Sequence, residues 1–446
     1  MSYNFIYIYV HFQEKKLNPK KRIRKSMKGV IRFIKKTIKP EQLFMLSVLL
    51  VNGGNYIYNL VLGRVLGPEK FADAAILITF LLVLSFVAMT FQLVTAKFSV
   101  IFEDSVFSGF ISKIYKNASI TGVILGIAIV VFSSQLQIFF KTTSSTMFVI
   151  FGIGVPLYFL MSVNRGIFQG KQQLLSLSIT YQSEMISRLI LTFALLYLLD
   201  IDSSLIIAIG IFCSFAFGLI PFKKNSFSLF KPLELEEANK KLVKKFFIIT
   251  AFYELTQIII NNSDILLVKH YFESYEAGLY ASLALIGRVV YFIAWMFVML
   301  LLPTVVQLKK DGKDTLPILL KYVAYIAFIA TSIVVSCFFF PDEIIKILFG
   351  SEYLGISQLL WKYASATGIF AISNIFAYYY LSLDKYVPVV LSGIFGMLQI
   401  VLVVLFHESL EQVVHVQIIA MVLLLIVQLS FFFFKNTKGE NKIVKN

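Results

Sequence analysis

The stretch Asp73-Ala-Ala-Ile-Leu-Ile-Thr-Phe-Leu-Leu-Val-Leu-Ser-Phe-Val-Ala-Met-Thr-Phe-Gln-Leu-Val-Thr-Ala96 decides the class of the protein. After Asp73 no charge occurs until Lys97. Roughly 20 apolar residues cross a bilayer as a helix, and this run has that length. It does not alternate apolar and polar residues, as the ~10-residue strands of a membrane barrel do. Similar runs recur throughout the 446 residues, which are 58% hydrophobic and 15% charged, with mean hydropathy +0.81. A soluble domain carries about 25% charged residues. The composition excludes a soluble enzyme, a disordered chain and a disulfide scaffold. It predicts an all-α polytopic membrane protein.

Twelve spans are expected, at 42–64, 73–96, 118–140, 144–165, 174–198, 203–222, 246–268, 277–303, 317–340, 356–381, 386–407 and 412–434. Cytoplasmic loops collect Lys and Arg. With the N-terminus inside, the inside segments hold 33 of the 41 basic residues. The outside loops hold only Arg64, Lys70, Lys141, Lys269 and Lys346. A miscounted span would destroy this asymmetry, so both termini are expected in the cytoplasm. The net charge of +16 is thus a topology signal with attraction to anionic lipid headgroups, not a nucleic-acid footprint. The expected organisation is a basic cytoplasmic arm (1–40), a first six-span bundle (41–222), a cytoplasmic linker (223–245), a second six-span bundle (246–434) and a cytoplasmic tail (435–446).

In the arm, the charges of Lys15–Lys39 follow the short apolar stretch Met1–Val10. A secretory signal has the opposite order. Met27-Lys28-Gly29-Val30 leads into the first span and reads as an alternative start. No outside loop exceeds about 16 residues, and the segment 341–355 reads as a short amphipathic helix on the outer surface. Cys213 and Cys337 lie in apolar runs and read as buried thiols. The four histidines are scattered, with no metal-ligand spacing.

The two halves share an internal repeat. Shifted by 205 positions, Asn59-Leu-Val-Leu-Gly-Arg64 lies over Asp264-Ile-Leu-Leu-Val-Lys269, Asn52 over Gln257 and Ala72 over Ala277. Blocks with an even number of spans enter the membrane in the same orientation. The expected symmetry is therefore an axis along the membrane normal, with a cavity between the halves, as in some secondary transporters.

An ionisable side chain in mid-bilayer costs about 3 kcal/mol or more, so it is a functional candidate. Glu184, Arg188, Glu254, Asp264, Arg288 and Lys362 fall within expected spans. In the seventh span Thr250, Glu254, Gln257, Asn261 and Asp264 are spaced 4, 3, 4 and 3 apart, on one helix face. That face either lines a cavity or hydrogen-bonds to other helices. The first span carries a similar stripe of Asn52, Asn55, Asn59 and Gly63. Glu184 and Arg188 lie four apart, which suits either a self-neutralised pair or an arginine free for an anion. Arg288 and Lys362 have no acid three or four positions away. Each needs Asp264, Glu254, a substrate anion or an interface to which it snorkels. Tyr56, Tyr58, Tyr280 and Tyr291 suit an interfacial belt or stacking on sugars. There is no Gly-x-x-x-x-Gly-Lys-Ser/Thr loop, and no catalytic or metal constellation stands out.

Arg64-Val-Leu-Gly-Pro-Glu-Lys-Phe71, Arg165-Gly-Ile-Phe-Gln-Gly170 and Asp264-Ile-Leu-Leu-Val-Lys269, followed by Glu276-Ala-Gly-Leu-Tyr-Ala281, resemble bacterial polysaccharide flippases. These are the O-antigen and exopolysaccharide transporters of the multidrug/oligosaccharidyl-lipid/polysaccharide superfamily. The resemblance runs from about 28 to 434. Ala72-Asp73 departs from it, since relatives often carry a glycine there. The resemblance implies two six-helix bundles in a V around a central cavity. It implies a substrate too, an undecaprenyl-diphosphate-linked oligosaccharide moved to the outer leaflet of the bacterial cytoplasmic membrane. Arg188 and Arg288, with Lys362 and Arg64 nearer the outer side, are then candidates for the diphosphate. Asn52, Asn59, Gln257 and Asn261 are candidates for the glycan. Glu254, Asp264 and Glu184 are candidate proton or sodium sites, with no cofactor expected. Glycosyltransferases and a polymerase are the expected partners. The competing expectation is a cation-coupled exporter of small molecules from the same superfamily. A polymerase or ligase would need a longer outer loop.

Overall fold

Within lipid a chain must satisfy its backbone polar groups internally, so long apolar runs become helices. The computed structural model describes residues 40–221 and 236–443, apart from 103, 292, 295–300, 302, 303, 306, 307, 310 and 384. Nearly all of the expected basic arm, with Met27, and the expected linker up to 235 lie outside the described residues. The regular elements described are all helical. In chain order they are α1 (Pro40–Ile101), α2 (Asp104–Val131), α3 (Ser133–Phe140), α4 (Thr146–Gly170), α5 (Leu174–Leu198), α6 (Ser203–Gly218), α7 (Glu237–Tyr271) and α8 (Ser274–Gly287). Then follow α9 (Leu316–Phe339), α10 (Pro341–Leu348), a 3-10 segment (Ser351–Leu359), α11 (Leu360–Ser382), α12 (Val387–Leu405) and α13 (Leu410–Ile443).

Among the described residues, six helical stretches are long and apolar enough to cross a membrane: Leu43–Ile101, Val106–Val131, Thr146–Gly170, Leu316–Phe339, Val387–Leu405 and Leu410–Phe434. The first, of 59 residues, is more than twice the length one crossing needs. Elsewhere α5 and α7 owe their lower hydropathy to buried polar residues, among them Glu184, Arg188, Gln257 and Asp264. α12 shows how the lipid face is written. Val387, Val390, Ile394, Met397, Val401 and Val404 are exposed, at helical spacing, whereas Val389, Ser392, Gly396, Gln399 and Val403 on the other side are buried. The protein is an all-α multi-pass membrane protein.

α1 is two helices joined at Gly67, whose φ of 72° and ψ of 171° lie outside the helical region. A side chain there would be strained. Pro68 follows, in a first-turn position where its missing N–H costs nothing. The two limbs match the first two expected spans. Phe272, the extended residue that ends α7, lies 205 positions after Gly67. The break between helices therefore recurs at the spacing of the sequence repeat.

Packing divides around α1. α2, α4, α5 and α6 pack on one another and on α1; α9, α11, α12 and α13 pack among themselves. α7 and α8 pack against α1 as well. At the Gly67 end the two groups share one core, in which Leu62, Phe71 and Phe148 join Tyr280, Leu283, Phe349 and Tyr353. The expected amphipathic helix is α10, but it does not float on a surface. With the 3-10 segment that follows, it docks on the kink of α1: the Arg64 guanidinium donates to the Ile347 carbonyl (2.9 Å), the Tyr353 hydroxyl donates to the Gly63 carbonyl (2.7 Å), and Phe71 meets Phe349 at 5.8 Å. A Cβ added to Gly278 would lie 1.8 Å from the Pro68 carbonyl oxygen, so α8 meets the kink backbone to backbone.

An ion pair ties this end together. Lys269 Nζ on α7 lies 3.1 Å from Asp73 Oδ1 on α1, with side chains only 1% and 3% exposed. The other Asp73 oxygen accepts from the Thr143 backbone N–H and hydroxyl, both at 2.8 Å, and Lys269 donates to Ser274 at 2.7 Å. Lys141 and Glu273 add an exposed pair at 3.0 Å between the same two groups.

Removing one partner of a buried pair strands the other charge. Asp73→Ala is expected to cost about 3–5 kcal/mol of stability, read as thermal unfolding in detergent. The double variant Asp73→Leu/Lys269→Met should recover most of the loss. Lys141→Ala, which breaks an exposed pair, should cost less than about 1 kcal/mol. Equal losses for Asp73→Ala and Lys141→Ala would contradict this assignment. Gly278→Val is expected to destabilise by about 1–3 kcal/mol through overpacking, by the same assay. An unchanged melting curve would mean that α8 and the kink do not touch.

Candidate functional site

Two buried polar clusters occupy the two helix groups. In the first, α5 presents Glu184 and Arg188 one turn apart, 9% and 7% exposed. Their own contact is loose, at 3.7 Å. The tight partner of Glu184 is Arg165 on α4, at 2.7 Å. Arg165 also donates to the Thr180 hydroxyl (3.1 Å) and carbonyl (3.0 Å) and stacks over the Tyr181 ring at 4.0 Å. Two guanidinium groups thus face one carboxylate. Arg188 is the less engaged of them. It donates to the Asn55 side-chain oxygen on α1 at 2.6 Å and lies 5.5 Å from the Tyr58 ring centroid, while its buried Nε has no hydrogen-bond partner among the described residues.

The stripe on the first limb of α1 leads away from Arg188. Asn52 is exposed, and Asn55 and Asn59 are half-buried. Asn59 donates to the Asn55 carbonyl at 2.8 Å, within the same helix. A cavity of about 630 Å³ lies between α1, α5 and α6, with Ser47, Gln182, Ser183 and Ser187 among its mostly apolar walls. Gln182 donates to the Ser47 carbonyl and hydroxyl.

In the second cluster Asp264 meets Arg288 at 2.8 Å, a pairing the sequence left as one of several options. The Tyr280 and Tyr363 hydroxyls donate to the other Asp264 oxygen at 3.1 and 2.7 Å. Arg288 donates further to Tyr363 (3.2 Å) and Asn262 (3.4 Å), and Gln417 on α13 donates to the Tyr280 hydroxyl. One cation meets one anion here, and the network ties α7, α8, α11 and α13 together. Gln257 accepts from the Tyr291 hydroxyl at 3.2 Å, and Asn261 donates to the Gln257 carbonyl of its own helix. Much of the seventh-span stripe therefore hydrogen-bonds to protein. Glu254 is the exception: it is half-buried and makes no hydrogen bond or ion pair among the described residues.

The remaining candidates lie apart from both clusters. Arg64 is exposed at the Gly67 end, held by Ile347. Lys362 pairs with Glu411 and approaches His415 at 3.4 Å, at the start of α13. Tyr58 and Tyr280 are 2% and 0% exposed, so neither sits in an interfacial belt nor offers a face to a sugar in this conformation. Arg165, Asn262 and Tyr363 were missed as site residues. Arg165 sits five residues before the end of α4, inside the helix rather than in the loop after it. Among the described residues no group of three or more His, Cys, Asp or Glu side chains is arranged to hold a metal ion.

A family described as polysaccharide biosynthesis protein matches residues 61–358. No curated protein sequence matches the chain. Among solved structures, the fold is similar to that of a lipid II flippase MurJ in its inward closed conformation, with TM-score 0.70 and 16% identity over 87% of both chains. It is similar also to an inward-facing multidrug resistance MATE family transporter, with TM-score 0.70 and 11% identity over 84% of this chain and 93% of that one. An outward-facing transporter of that family gives TM-score 0.54 and 13% identity, over 91% of this chain and 98% of that one. At these identities the likeness is one of fold. The family match spans well over half of the chain and takes in Glu184, Arg188, Asp264 and Arg288, so the chain, a multi-pass membrane protein, belongs to the polysaccharide biosynthesis protein family.

Proposed function

We propose that the protein is a flippase that carries an undecaprenyl-diphosphate-linked oligosaccharide from the cytoplasmic to the outer leaflet, for surface polysaccharide biosynthesis. The observation that carries this reading is the surplus of buried positive charge beside the first span: Arg165 and Arg188 against Glu184 alone. A diphosphate is the anionic part of such a substrate, and a guanidinium matches its oxygens with parallel hydrogen bonds. Arg165 neutralises Glu184 and so leaves Arg188 for the diphosphate. Arg288, whose charge is matched by Asp264, holds helices together instead. Asn52 and Asn59 serve the glycan, and the prenyl tail stays in lipid.

The reading takes the chain as twelve spans in two six-helix bundles over 41–222 and 246–434, with both termini cytoplasmic and the Gly67 end outward. Transport is by alternating access, and the structure then represents the state closed to the outside. The better superposition on an inward-facing transporter than on an outward-facing one supports this. Arg64 and Lys362, held by Ile347 and Glu411, belong to the outer side and not to the diphosphate site. Glycosyltransferases supply the substrate and a polymerase consumes it.

A second reading, a cation-coupled exporter of small molecules, has specific support. A multidrug transporter matches the fold as well as the lipid II flippase does, at TM-score 0.70. Glu254, without a partner among the described residues, suits a proton or sodium site.

The test is a deletion strain of the native host, with lipid-linked oligosaccharides assayed by leaflet. Diphosphate-linked units are expected to accumulate on the cytoplasmic side with loss of surface polysaccharide. The chain carrying Arg188→Ala should fail to restore export while expressing normally, and Lys362→Ala should restore it. Unchanged lipid-linked intermediates together with altered drug sensitivity would replace this reading with the exporter.

A further inference from the structure

At the end opposite Gly67, a second cavity, of about 480 Å³, opens between α1, α2 and α7. Neither cluster contributes to it. Its walls include Lys113 on α2, Lys240 and Lys244 on α7, and the apolar side chains of Phe91, Ile120 and Phe247. Lys240 and Lys244 are one turn apart on α7, and Lys113, Asn117 and Thr121 follow the same spacing on α2, so two helix faces converge on one space. From Lys113 to Thr121 the helix rises about 12 Å. The cavity is therefore cationic at its mouth and apolar at its floor.

Several cations surround it. Among the described residues, Glu237 is the carboxylate that meets them, 2.6 Å from Lys240. That hydrogen bond, with a weaker contribution from Lys113, holds the exposed Glu237 carboxyl below the usual carboxylate range. Lys97 adds a further charge nearby, 3.8 Å from the ring centroid of Phe246. The mouth lies where α2 and α7 reach the membrane surface, at the cytoplasmic side in the orientation proposed above.

We propose that this cavity binds an anionic glycerophospholipid of the inner leaflet, with its phosphate at Lys113, Lys240 and Lys244 and the start of one acyl chain along Ile120, Phe91 and Phe247. The charge pattern fits that occupant. An anionic headgroup complements Lys113 and Lys244 better than a zwitterionic one, and the sequence of the N-terminal arm carries the same sign as the mouth. A bound lipid joins α2 to α7, and so bridges the two helix groups beside the Phe91–Phe247 contact. The inference concerns a lipid that is held, so it stands or falls separately from what the protein transports.

The experiment is native mass spectrometry of the purified full-length protein, titrated with phosphatidylglycerol, phosphatidylethanolamine and undecaprenyl phosphate. Phosphatidylglycerol is expected to be retained most tightly. An attraction of about 1 kcal/mol per lysine makes Lys113→Ala/Lys244→Ala about 30-fold weaker for it. Lys113→Arg/Lys244→Arg should keep the affinity within about threefold, since the charge is preserved. Asn117→Trp, which fills the cavity and leaves every lysine in place, should weaken retention like the alanine pair. Three results would overturn the proposal: equal retention of phosphatidylglycerol and phosphatidylethanolamine; full retention by Asn117→Trp, which would mean diffuse surface attraction; or tighter binding of undecaprenyl phosphate, which would assign the cavity to the substrate class.

Discussion

The contact between Asp73 and Lys269 is the constraint on which the rest of the structure depends. Two opposite charges are almost wholly removed from water where α1 meets α7. Neither could be buried alone, because an unpaired charge in such a setting costs several kcal/mol. They can be buried only while the Gly67 end is closed, with Thr143 and Ser274 completing their hydrogen bonds. Around them, Gly278 lets α8 reach the Pro68 carbonyl, and α10 and the 3-10 segment after it cover the kink of α1 through contacts with Arg64 and Gly63. A buried pair adds little net stability compared with an apolar contact of the same size. What it does is penalise partial separation. The end is either shut, with both charges paired, or open enough for both to be hydrated. Such bistability is what alternating access requires of an interface.

The two polar clusters differ in a way that bears on function. The second is neutral and crowded, with Asp264 accepting from Arg288 and two tyrosines, and it fixes four elements of the second helix group relative to one another. The first keeps a surplus guanidinium next to a partly open asparagine stripe. In a low-dielectric setting an unmatched positive charge attracts an anion far more strongly than it would in water. On the proposed reading, this asymmetry assigns the anion to the first group and rigidity to the second. The lysine-lined cavity at the other end repeats the same chemistry at the membrane surface, where attraction is weaker and is shared among mobile charges.

Much of this was legible in the sequence. Apolar runs of bilayer length gave the helices, and the break at Gly67 recurs at Phe272 with the 205-residue spacing of the repeat. Buried Glu184, Arg188, Asp264 and Arg288 stood out because a charge in an apolar run needs a reason. The partners were harder to read. The i,i+4 rule sees one helix at a time, and it paired Arg188 with Glu184 when the tighter partner of Glu184 is Arg165, on the preceding helix. Lys362 finds Glu411 two helices further on. Asp73 and Lys269 read as an atypical residue at a span border and a loop lysine, because nothing in either segment announces the other. An acid flanked by Ala72, Ala74 and Ala75 was nevertheless a signal, since small neighbours allow the close helix approach that buries a charge.

The central claim is that the surplus guanidinium on α5 serves a lipid diphosphate. The direct measurement is translocation by the purified protein in liposomes, using a diphosphate-linked oligosaccharide whose glycan is made accessible to a membrane-impermeant oxidant only after crossing. The account predicts glycan exposure with the wild-type chain and little above the protein-free rate with Arg188→Ala. Exposure at the same rate in both would contradict it, as would a protein that leaves the lipid in place while moving organic cations against protons.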